Sequence, residues 1–294
     1  NFLMDSRIGD GRYFYSNYIN APRTNETEVV EDCPLEWTAR SVKQYGTDYI
    51  SIRCNRDFTL EFQGSSQVGV IPQSAYSGKY MMWSNKGDES DMTMTREFDF
   101  TQTQAPIEMS YWTWYDIEKD YDYVYLAASV DGDQWHILHT PSGTDEDPSG
   151  NSYGWGYNGV SRGWIQEQVD LSEFAGQKVQ LRFEYVTDAA VNGEGFLIDD
   201  ISIPSVGYQS DFETDDGGWL TAGFVRIQNI LPQTFSLSLI LRGEEAEVEK
   251  YQITPGETFS RQIKGSDYSE VILVVSGTTR YTRQEANYRF CFLP

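Results

Sequence analysis

The chain has 294 residues, of which 39% are hydrophobic and 15% aromatic, and its 22 Lys plus Arg against 45 Asp plus Glu give a formal charge of −23. This length favours two compact units over one, and the aromatic content favours a folded chain over a disordered one. The negative field repels phosphate backbones and anionic headgroups, so nucleic acid is not an expected partner, whereas cations are attracted. No run of about 18 apolar residues occurs, so no membrane span is predicted.

Residues 1–36 are predicted to form an extended N-terminal arm. They show no helical period, and they contain the aromatic stretch RYFYSNYI among Gly, Asn and Pro. Exposed to water, this stretch would form a large apolar strip, so we expect it to pair with a sheet edge of this chain or of a second copy. The start at Asn1, without a Met or an apolar leader, fits a processed secreted chain or a fragment of a longer one.

Residues 37–204 are predicted to form a jelly-roll β-sandwich. Short runs that alternate apolar and polar residues, such as TARSVKQYGTDYISIRC, DMTMTREFDF and KVQLRFEYVTD, are separated by Gly, Pro, Asp or Asn. Evenly spaced short strands without helical segments are typical of antiparallel sandwiches and jelly rolls. The longest loop, residues 141–163, is rich in Gly, Ser and acidic residues, and loops of this length are usually functional or mobile.

Residues 205–294 are predicted to form a second, smaller β-sandwich. The runs SLSLILRG and EVILVVSG are typical of buried strands. A segment of this size can hold a core of its own. The fold class expected for the whole chain is therefore all-β, with a jelly roll followed by a second sandwich.

The cysteines indicate at most one disulfide. There are three, Cys33, Cys54 and Cys291, without C-x-x-C spacing, so neither a zinc site nor a redox dithiol is expected. The pairing that remains is Cys33 with either Cys54 or Cys291, and we take Cys33–Cys54 as the prediction. A disulfide would fit an oxidising compartment.

Acidic stretches make Ca²⁺ the expected cofactor, because Ca²⁺ binds six to eight oxygen ligands that converge from loops. Three stretches compete for this role: NKGDESDMT, YDIEKDYDY and TDAAVNGEGFLIDDI. The residues taken from them as candidate ligands are Asp88, Glu89, Asp91, Glu118, Asp188, Asp199 and Asp200.

The pair Asp199 and Asp200 is the most specific of these candidates. Strand alternation in GFLIDDISI places Asp200 on the face of Phe196 and Asp199 on the face of Leu197, so one carboxylate points inward. A buried carboxylate needs a cation or several hydrogen-bond donors. A strand end held by hydrogen bonds is the alternative.

Aromatic residues exceed what one packed face of each strand requires. Trp112 and Trp114 share a face of one predicted strand, and Tyr121 and Tyr123 share a face of the next. These four are candidate binding residues, as a platform for sugar rings. The alternative, which we favour, is that a covering segment such as the N-terminal arm buries them, because an uncovered face of this size would be adhesive.

The sequence does not predict an active site, although residue types alone do not exclude a Ser-His-Asp triad. The two histidines, His136 and His139, lie three residues apart on a predicted strand and so point to opposite faces, which prevents joint metal binding. A His-Glu-x-x-His helix does not occur, and no strained Gly-x-Ser-x-Gly elbow between a strand and a helix is predicted. The sequence therefore predicts a protein that is not an enzyme.

An ordered series of motifs resembles a known family. The stretches SGKYMMWSNKGDESDMTMTREFDF, YWTWYDIEKDYDYVYLAASVDGDQW, GYNGVSRGWIQEQVDLSEFAGQKVQLRFEYVTD and GFLIDDISIP look like the MAM-like jelly-roll module that follows the catalytic domain in secreted immune inhibitor A metallopeptidases. The resemblance extends weakly through DFETDDGGWLTAGF into the terminal sandwich. It implies an extracellular accessory region, with a jelly roll that often holds calcium, but the peptidase signature is missing here.

The leading hypothesis is a secreted, non-catalytic accessory or adhesion module that calcium stabilises and that binds a protein or glycan at a surface. One alternative is a self-assembling filament or surface-layer subunit, in which residues 1–36 add a strand to a neighbouring copy. Another is a carbohydrate-binding module that uses the surplus Trp and Tyr side chains.

Overall fold

The computed structural model describes residues 24–54 and 56–294. In this part of the chain the regular structure consists of β-strands and three single-turn 3-10 helices, without an α-helix. The all-β prediction is therefore confirmed. No helix within the described ranges is long and apolar enough to cross a membrane.

The strands are numbered in chain order. The first five strands are β1 (Glu28–Val30), β2 (Thr38–Val42), β3 (Asp48–Ile52), β4 (Phe58–Gly64) and β5 (Gln67–Val68). Next come β6 (Tyr80–Trp83), β7 (Asp91–Asp99), β8 (Glu108–Asp116), β9 (Tyr123–Ser129), β10 (His136–Ile137), β11 (Ile165–Asp170), β12 (Lys178–Val186), β13 (Gly195–Ile203), β14 (Tyr208–Ser210), β15 (Leu220–Ala222) and β16 (Val225–Gln228). Last are β17 (Leu231–Pro232), β18 (Phe235–Arg242), β19 (Ala246–Ile253), β20 (Thr258–Ile263), β21 (Glu270–Gly277) and β22 (Ala286–Leu293). The 3-10 turns are Ser172–Phe174, Pro204–Val206 and Gly265–Asp267.

The chain divides into two compact units, one inserted into the other along the sequence. The inserted unit is Pro72–Asn229, and the flanking unit joins the described residues up to Ile71 to Ile230–Pro294. This division differs from the expected boundaries after residues 36 and 204, because strands from both ends of the chain share sheets. Residues 1–23 of the expected arm lie outside the described residues, and the described part of the arm contributes β1, which pairs in parallel with β3.

The flanking unit mixes strands from both ends of the chain in each of its two large sheets. One sheet has the order β1-β3-β21-β18-β19, and the other has the order β2-β22-β4-β20. Their buried faces form one core, in which the ring of Phe62 packs edge-on against Phe235 at 5.5 Å between centroids. The approach is close enough that a Cβ on Gly64 would overlap the Phe235 ring. The core of this unit therefore needs residues from both flanks.

A disulfide joins Cys33 to Cys54, whose Cα atoms lie 5.9 Å apart. Cys33 packs in the core of the flanking unit, and the third cysteine, Cys291, is a buried free thiol. The bond closes a loop that contains β2 and β3 and so restricts the unfolded chain more than the folded one.

The inserted unit is an antiparallel sandwich. Its sheets have the orders β10-β9-β12-β7-β15 and β11-β8-β13-β6-β16, with β14 also paired to β13. The long strands from β6 to β9, and again from β11 to β13, alternate between the two sheets, which is the jelly-roll pattern. Aromatic and aliphatic side chains from both sheets, among them Tyr111, Phe183 and Phe196, form a single core.

Fragments test the division into units. Residues 72–229, expressed alone, should give a dispersed amide NMR spectrum and a cooperative melting transition, because all the core residues of this sandwich lie inside that range. Residues 205–294 should remain unfolded, because the partners of β20, β21 and β22 in the first flank are missing. A folded, monomeric 205–294 fragment would contradict the insertion.

Removal of the disulfide should destabilise the flanking unit. For a separation of 21 residues, the loop-closure estimate for Cys54→Ser is about 3 kcal/mol of unfolding free energy. Urea unfolding of wild type and variant measures it, and dithiothreitol should shift the midpoint of the wild type but not that of the variant. An oxidised wild type that is insensitive to dithiothreitol would contradict this pairing.

Candidate metal centre

Three acidic loops emerge at the same end of the inserted sandwich because of strand register. Val186 at the end of β12 pairs with Asp91 at the start of β7 and with Tyr123 at the start of β9. In the other sheet Gly195 at the start of β13 pairs with Asp116 at the end of β8. The connections at residues 84–90, 117–122 and 187–194 therefore begin or end at one edge of the sandwich. This brings together parts of all three stretches that the sequence indicated.

Three carboxylates from two of these loops form a compact group. Oxygen atoms of Glu118, Asp122 and Asp188 all lie within 4.8 Å of one another. Asp122 is fully buried, and Glu118 and Asp188 are half-buried. We call these three residues the acidic triad.

Asp122 is fixed in place by its neighbours. Its Oδ2 accepts a hydrogen bond from the Tyr185 hydroxyl at 3.1 Å, and its Oδ1 accepts one from the Asp188 backbone N–H at 3.0 Å. Its own backbone N–H donates to the Glu118 carbonyl at 3.2 Å, which closes the turn. The hydrogen bonds thus tie Asp122 to the backbone of the other two triad residues.

Glu118 has the least satisfied carboxylate of the triad. Its Oε2 atom is buried and accepts no hydrogen bond from the described residues. Burial raises the pKa of Glu118, and the charges of Asp188, Asp122 and Asp88 raise it further. Burial is also the main cause of the raised pKa of Asp122. Without a positive charge this arrangement is electrostatically unfavourable, and a divalent cation would relieve it.

The predicted ligands of the first stretch, Asp88, Glu89 and Asp91, do not belong to the triad. Asp88 accepts a hydrogen bond from the side-chain amide of Asn192 at 2.6 Å, so it links the first loop to the third. The Glu89 backbone N–H donates to the Asp188 carbonyl at 2.6 Å, and Glu89 adopts a positive φ of 48°. Asp91 is exposed at the start of β7. Of the seven predicted ligands, the structure thus brings Glu118 and Asp188 into one group.

Asp199 and Asp200 lie outside the triad and satisfy their carboxylates differently. The Asp199 side chain, fully buried, accepts hydrogen bonds from the backbone N–H groups of Tyr76 at 2.9 Å, Ser77 at 3.1 Å and Asp200 at 2.9 Å. Asp200 accepts a hydrogen bond from the Ser77 hydroxyl at 2.9 Å. Burial nevertheless dominates and raises the pKa of Asp199 to about 7.

A β-bulge changes the strand alternation that the sequence predicts around this pair. Phe196 and Ile198 face the core as expected, but Ile201 also does, because the register between β13 and β8 shifts between Asp199 and Ser202. Asp200 occupies the bulge with a positive φ of 49°. The extra residue returns the apolar side chains after the bulge to the core face.

The predicted aromatic binding residues are mostly covered by segments of the inserted unit itself. The Tyr76 ring stacks on Trp112 with 3.8 Å between centroids, and Trp114 is buried. Tyr123 is also buried and donates its hydroxyl to the Glu146 carbonyl, whereas Tyr121 is 46% exposed. Within the described residues, Tyr76 thus covers Trp112 and the long loop at residues 141–163 contacts Tyr123, whereas residues 1–23 of the expected covering arm lie outside the described part of the chain.

Sequence reasoning did not select Asp122 as a ligand. The signal was available, since Asp122 directly precedes β9, in which every residue is buried. An Asp at the entrance of a wholly buried strand lies at the rim of the core, where its carboxylate needs donors or a cation. Alternation alone does not reveal this, because it does not show which turns meet.

Comparisons with known proteins agree with the motif resemblance. The sequence model of the family described as "Immune inhibitor A-like, MAM domain" matches residues 58–229. The chain is 32% identical over 141 residues to the pre-pro-metalloprotease PrtV of Vibrio cholerae, which is 48% of this chain and 15% of that protein. It is 33% identical over 128 residues to immune inhibitor A of Bacillus thuringiensis, which is 43% of this chain and 17% of that protein. Bacillopeptidase F of Bacillus subtilis is 24% identical over 135 residues, 44% of this chain and 8% of that protein. The chain thus corresponds to less than a fifth of each relative.

The raised pKa of Asp199 predicts a pH dependence of stability. In the unfolded chain this carboxyl titrates near pH 4, so between about pH 4 and 7 the folded state binds more protons than the unfolded state. The free energy of unfolding should therefore fall as the pH rises through this range. Asp199→Asn should reduce this slope, as measured by urea unfolding at a series of pH values.

Other buried acids with raised pKa values, among them Glu167, should leave part of the slope in this variant. Asp216→Asn at an exposed position is the matched control and should leave the slope unchanged. A slope that is the same in Asp199→Asn and wild type would contradict the raised pKa.

Proposed function

The chain belongs to the Immune inhibitor A-like MAM domain family, and from this membership we propose that it is a non-catalytic, extracellular accessory region in which Ca²⁺ stabilises the loops of the inserted sandwich. The observation that carries the calcium proposal is the acidic triad of Glu118, Asp122 and Asp188. Related regions occur in proteins named as a metalloprotease and as immune inhibitor A. An accessory role beside a peptidase follows from that relationship.

The chemistry of the triad favours Ca²⁺. Ca²⁺ prefers carboxylate oxygens from flexible loops and accepts irregular geometry, and Mg²⁺ requires a near-ideal octahedron. Glu118 and Asp122 share one loop, Asp188 comes from another, and Asp88 adds negative charge from a third. The side chains present hard oxygen ligands rather than the nitrogen and sulfur ligands that zinc favours. A bound cation would tie the loops together and offset the mutual repulsion of their charges.

The extracellular proposal is supported by the disulfide. The bond between Cys33 and Cys54 would persist in an oxidising compartment, and structural disulfides are rare in the cytosol. The net charge of −23 also fits an environment that supplies divalent cations.

The non-catalytic proposal rests on the nature of the match. The matching family model describes a MAM domain rather than a peptidase domain. Binding of a protein or glycan at a surface is the activity that such a region would supply. The alternative of strand donation between copies depends largely on residues 1–23, outside the described part of the chain, and stays a prediction.

Calcium should raise the melting temperature of the inserted unit. At free Ca²⁺ of 100 times the dissociation constant, binding to the folded state adds about 2.7 kcal/mol to the free energy of unfolding. Differential scanning calorimetry of the full chain in Ca²⁺ and in EDTA should show that EDTA lowers the transition of the 72–229 unit and leaves the transition of the flanking unit in place.

Variants separate a calcium site from a general effect of charge. Asp188→Asn should abolish the difference between Ca²⁺ and EDTA, because it removes a charged triad ligand. Asp120→Asn is the matched control, because it changes the charge equally in the loop of Glu118 and Asp122, at a positive φ that Asn tolerates. In this variant the difference in melting temperature between Ca²⁺ and EDTA should persist. Equal melting temperatures in Ca²⁺ and EDTA for the wild type would refute the calcium site.

A further inference from the structure

A cavity separate from the acidic triad opens beside β14 in the inserted unit. Its volume is about 520 Å³, and its walls are formed by Arg96 of β7, by β14 and by the loop at residues 211–218. This loop contains most of the motif DFETDDGGW, to which the calcium proposal assigns no role. A volume in this range is typical of sites for small ligands.

Arg96 supplies the positive charge of the cavity. Its guanidinium carbon lies 4.4 Å from the centroid of the Tyr208 ring and 5.2 Å from that of Phe98, and Nη1 donates a hydrogen bond to the Gly217 carbonyl. Arg96 forms no ion pair within the described residues, and its buried Nε–H has no hydrogen-bond acceptor there. In a chain with twice as many acidic as basic residues, an arginine without a carboxylate partner brings an uncompensated positive charge to the cavity wall, where its guanidinium can donate to a ligand.

Two glycines allow the loop to close over this arginine. Gly217 and Gly218 have φ values of 62° and 74°, and a Cβ on Gly218 would overlap the Arg96 guanidinium. A Cβ on Gly217 would overlap the Ser210 hydroxyl. The wall of the cavity therefore depends on glycine at both positions, and it holds the guanidinium in one place.

Asp211 and Asp215 also line this cavity, and each has a carboxylate oxygen that can accept a further hydrogen bond. Asp211 accepts the Glu213 backbone N–H at 3.1 Å, and Asp215 accepts the Gly217 backbone N–H at 2.8 Å, each through Oδ1. Their Oδ2 atoms have no hydrogen bond within the described residues. Hydroxyl groups of Ser210 and Thr214 complete the polar lining.

The lining combines the hydrogen-bond donors of Arg96 with the carboxylate acceptors of Asp211 and Asp215. Adjacent hydroxyl groups of a sugar match this arrangement, because each hydroxyl can donate to a carboxylate and accept from a guanidinium at the same time. One Arg and two Asp leave the lining with a net negative charge, which disfavours an anionic ligand, as does the chain's charge of −23. We propose that this cavity is a binding site for a neutral saccharide. The proposal goes beyond the calcium-stabilised accessory role and requires neither calcium nor the triad.

A glycan microarray that contains neutral and acidic oligosaccharides is the first test, with the full chain as the probe. Binding to neutral glycans is expected. The neutral glycan with the strongest signal is then titrated calorimetrically into wild type and two variants, Arg96→Gln and Asp215→Asn. Each variant should raise the dissociation constant at least about tenfold, because each removes a charge-assisted hydrogen bond to the sugar.

Matched controls keep the test decisive. Asp215→Asn retains an amide oxygen that can accept the Gly217 N–H, so it should fold even if Arg96→Gln does not. Asp133→Asn and Arg162→Gln make the same charge changes at exposed positions outside the cavity wall and should leave the dissociation constant unchanged. Melting curves of all four variants show which of them are folded.

Several outcomes would overturn the proposal. If the chain binds no glycan on the array, or binds acidic glycans only, a neutral-saccharide site is rejected. Unchanged affinity in both Arg96→Gln and Asp215→Asn rejects this cavity as the site. Affinity that is lost in Tyr76→Ala but kept in Asp215→Asn would place binding instead on the stack of Tyr76 and Trp112, where Tyr76 is 41% exposed.

Discussion

Pairing between strands from opposite ends of the chain is the constraint on which the rest of the structure depends. In the flanking unit β3 pairs with β21, and β4 lies between β20 and β22, so neither flank has a complete sheet by itself. The short strands β5 and β17 pair where the chain leaves and re-enters this unit. In the inserted unit β6 pairs with β16, which brings its own first and last strands together. A chain whose ends meet in this way can be inserted into another domain at low cost, because it spans the gap left by a short loop.

Buried carboxylates in the inserted sandwich are stabilised in distinct ways. Asp199 accepts hydrogen bonds from three backbone N–H groups. Glu167 is fully buried with one unpartnered oxygen, but its neighbours include Tyr157 and Ser142, so a proton on the carboxyl can satisfy it. Glu118 also has an unpartnered oxygen, but it faces two further carboxylates. Protonation of one triad carboxylate leaves the charges of the other two in contact. This remaining repulsion distinguishes a candidate cation site from a single buried acid.

Local patterns in the sequence were sufficient for the strands, the all-β class and the family, because these depend on alternation, turn residues and the order of motifs. They were insufficient for the division into units. Alternation in TFSLSLILRG shows that this strand, β18, has a buried face. It does not show that β18 pairs with β21, or that β21 pairs with β3, because those pairings depend on the tertiary structure. The bulge at Asp200 and the position of Asp122 were missed for a related reason. Both depend on which residue lies across the sheet or across a loop.

The family match and the inserted unit share their end but not their start. The match begins at residue 58, within the flanking unit, and ends at residue 229, the last residue of the inserted unit. The match therefore contains β4, whose residues Phe58, Leu60 and Phe62 pack in the core of the flanking unit. The strands that pair with β4, namely β20 and β22, lie outside the matched residues. A segment cut at residue 58 would carry an unpaired apolar strand, which favours aggregation. The smallest self-contained part of the matched region is therefore residues 72–229. The strand before it belongs to a second domain, and in this chain that domain is completed by residues that follow the MAM-like sandwich.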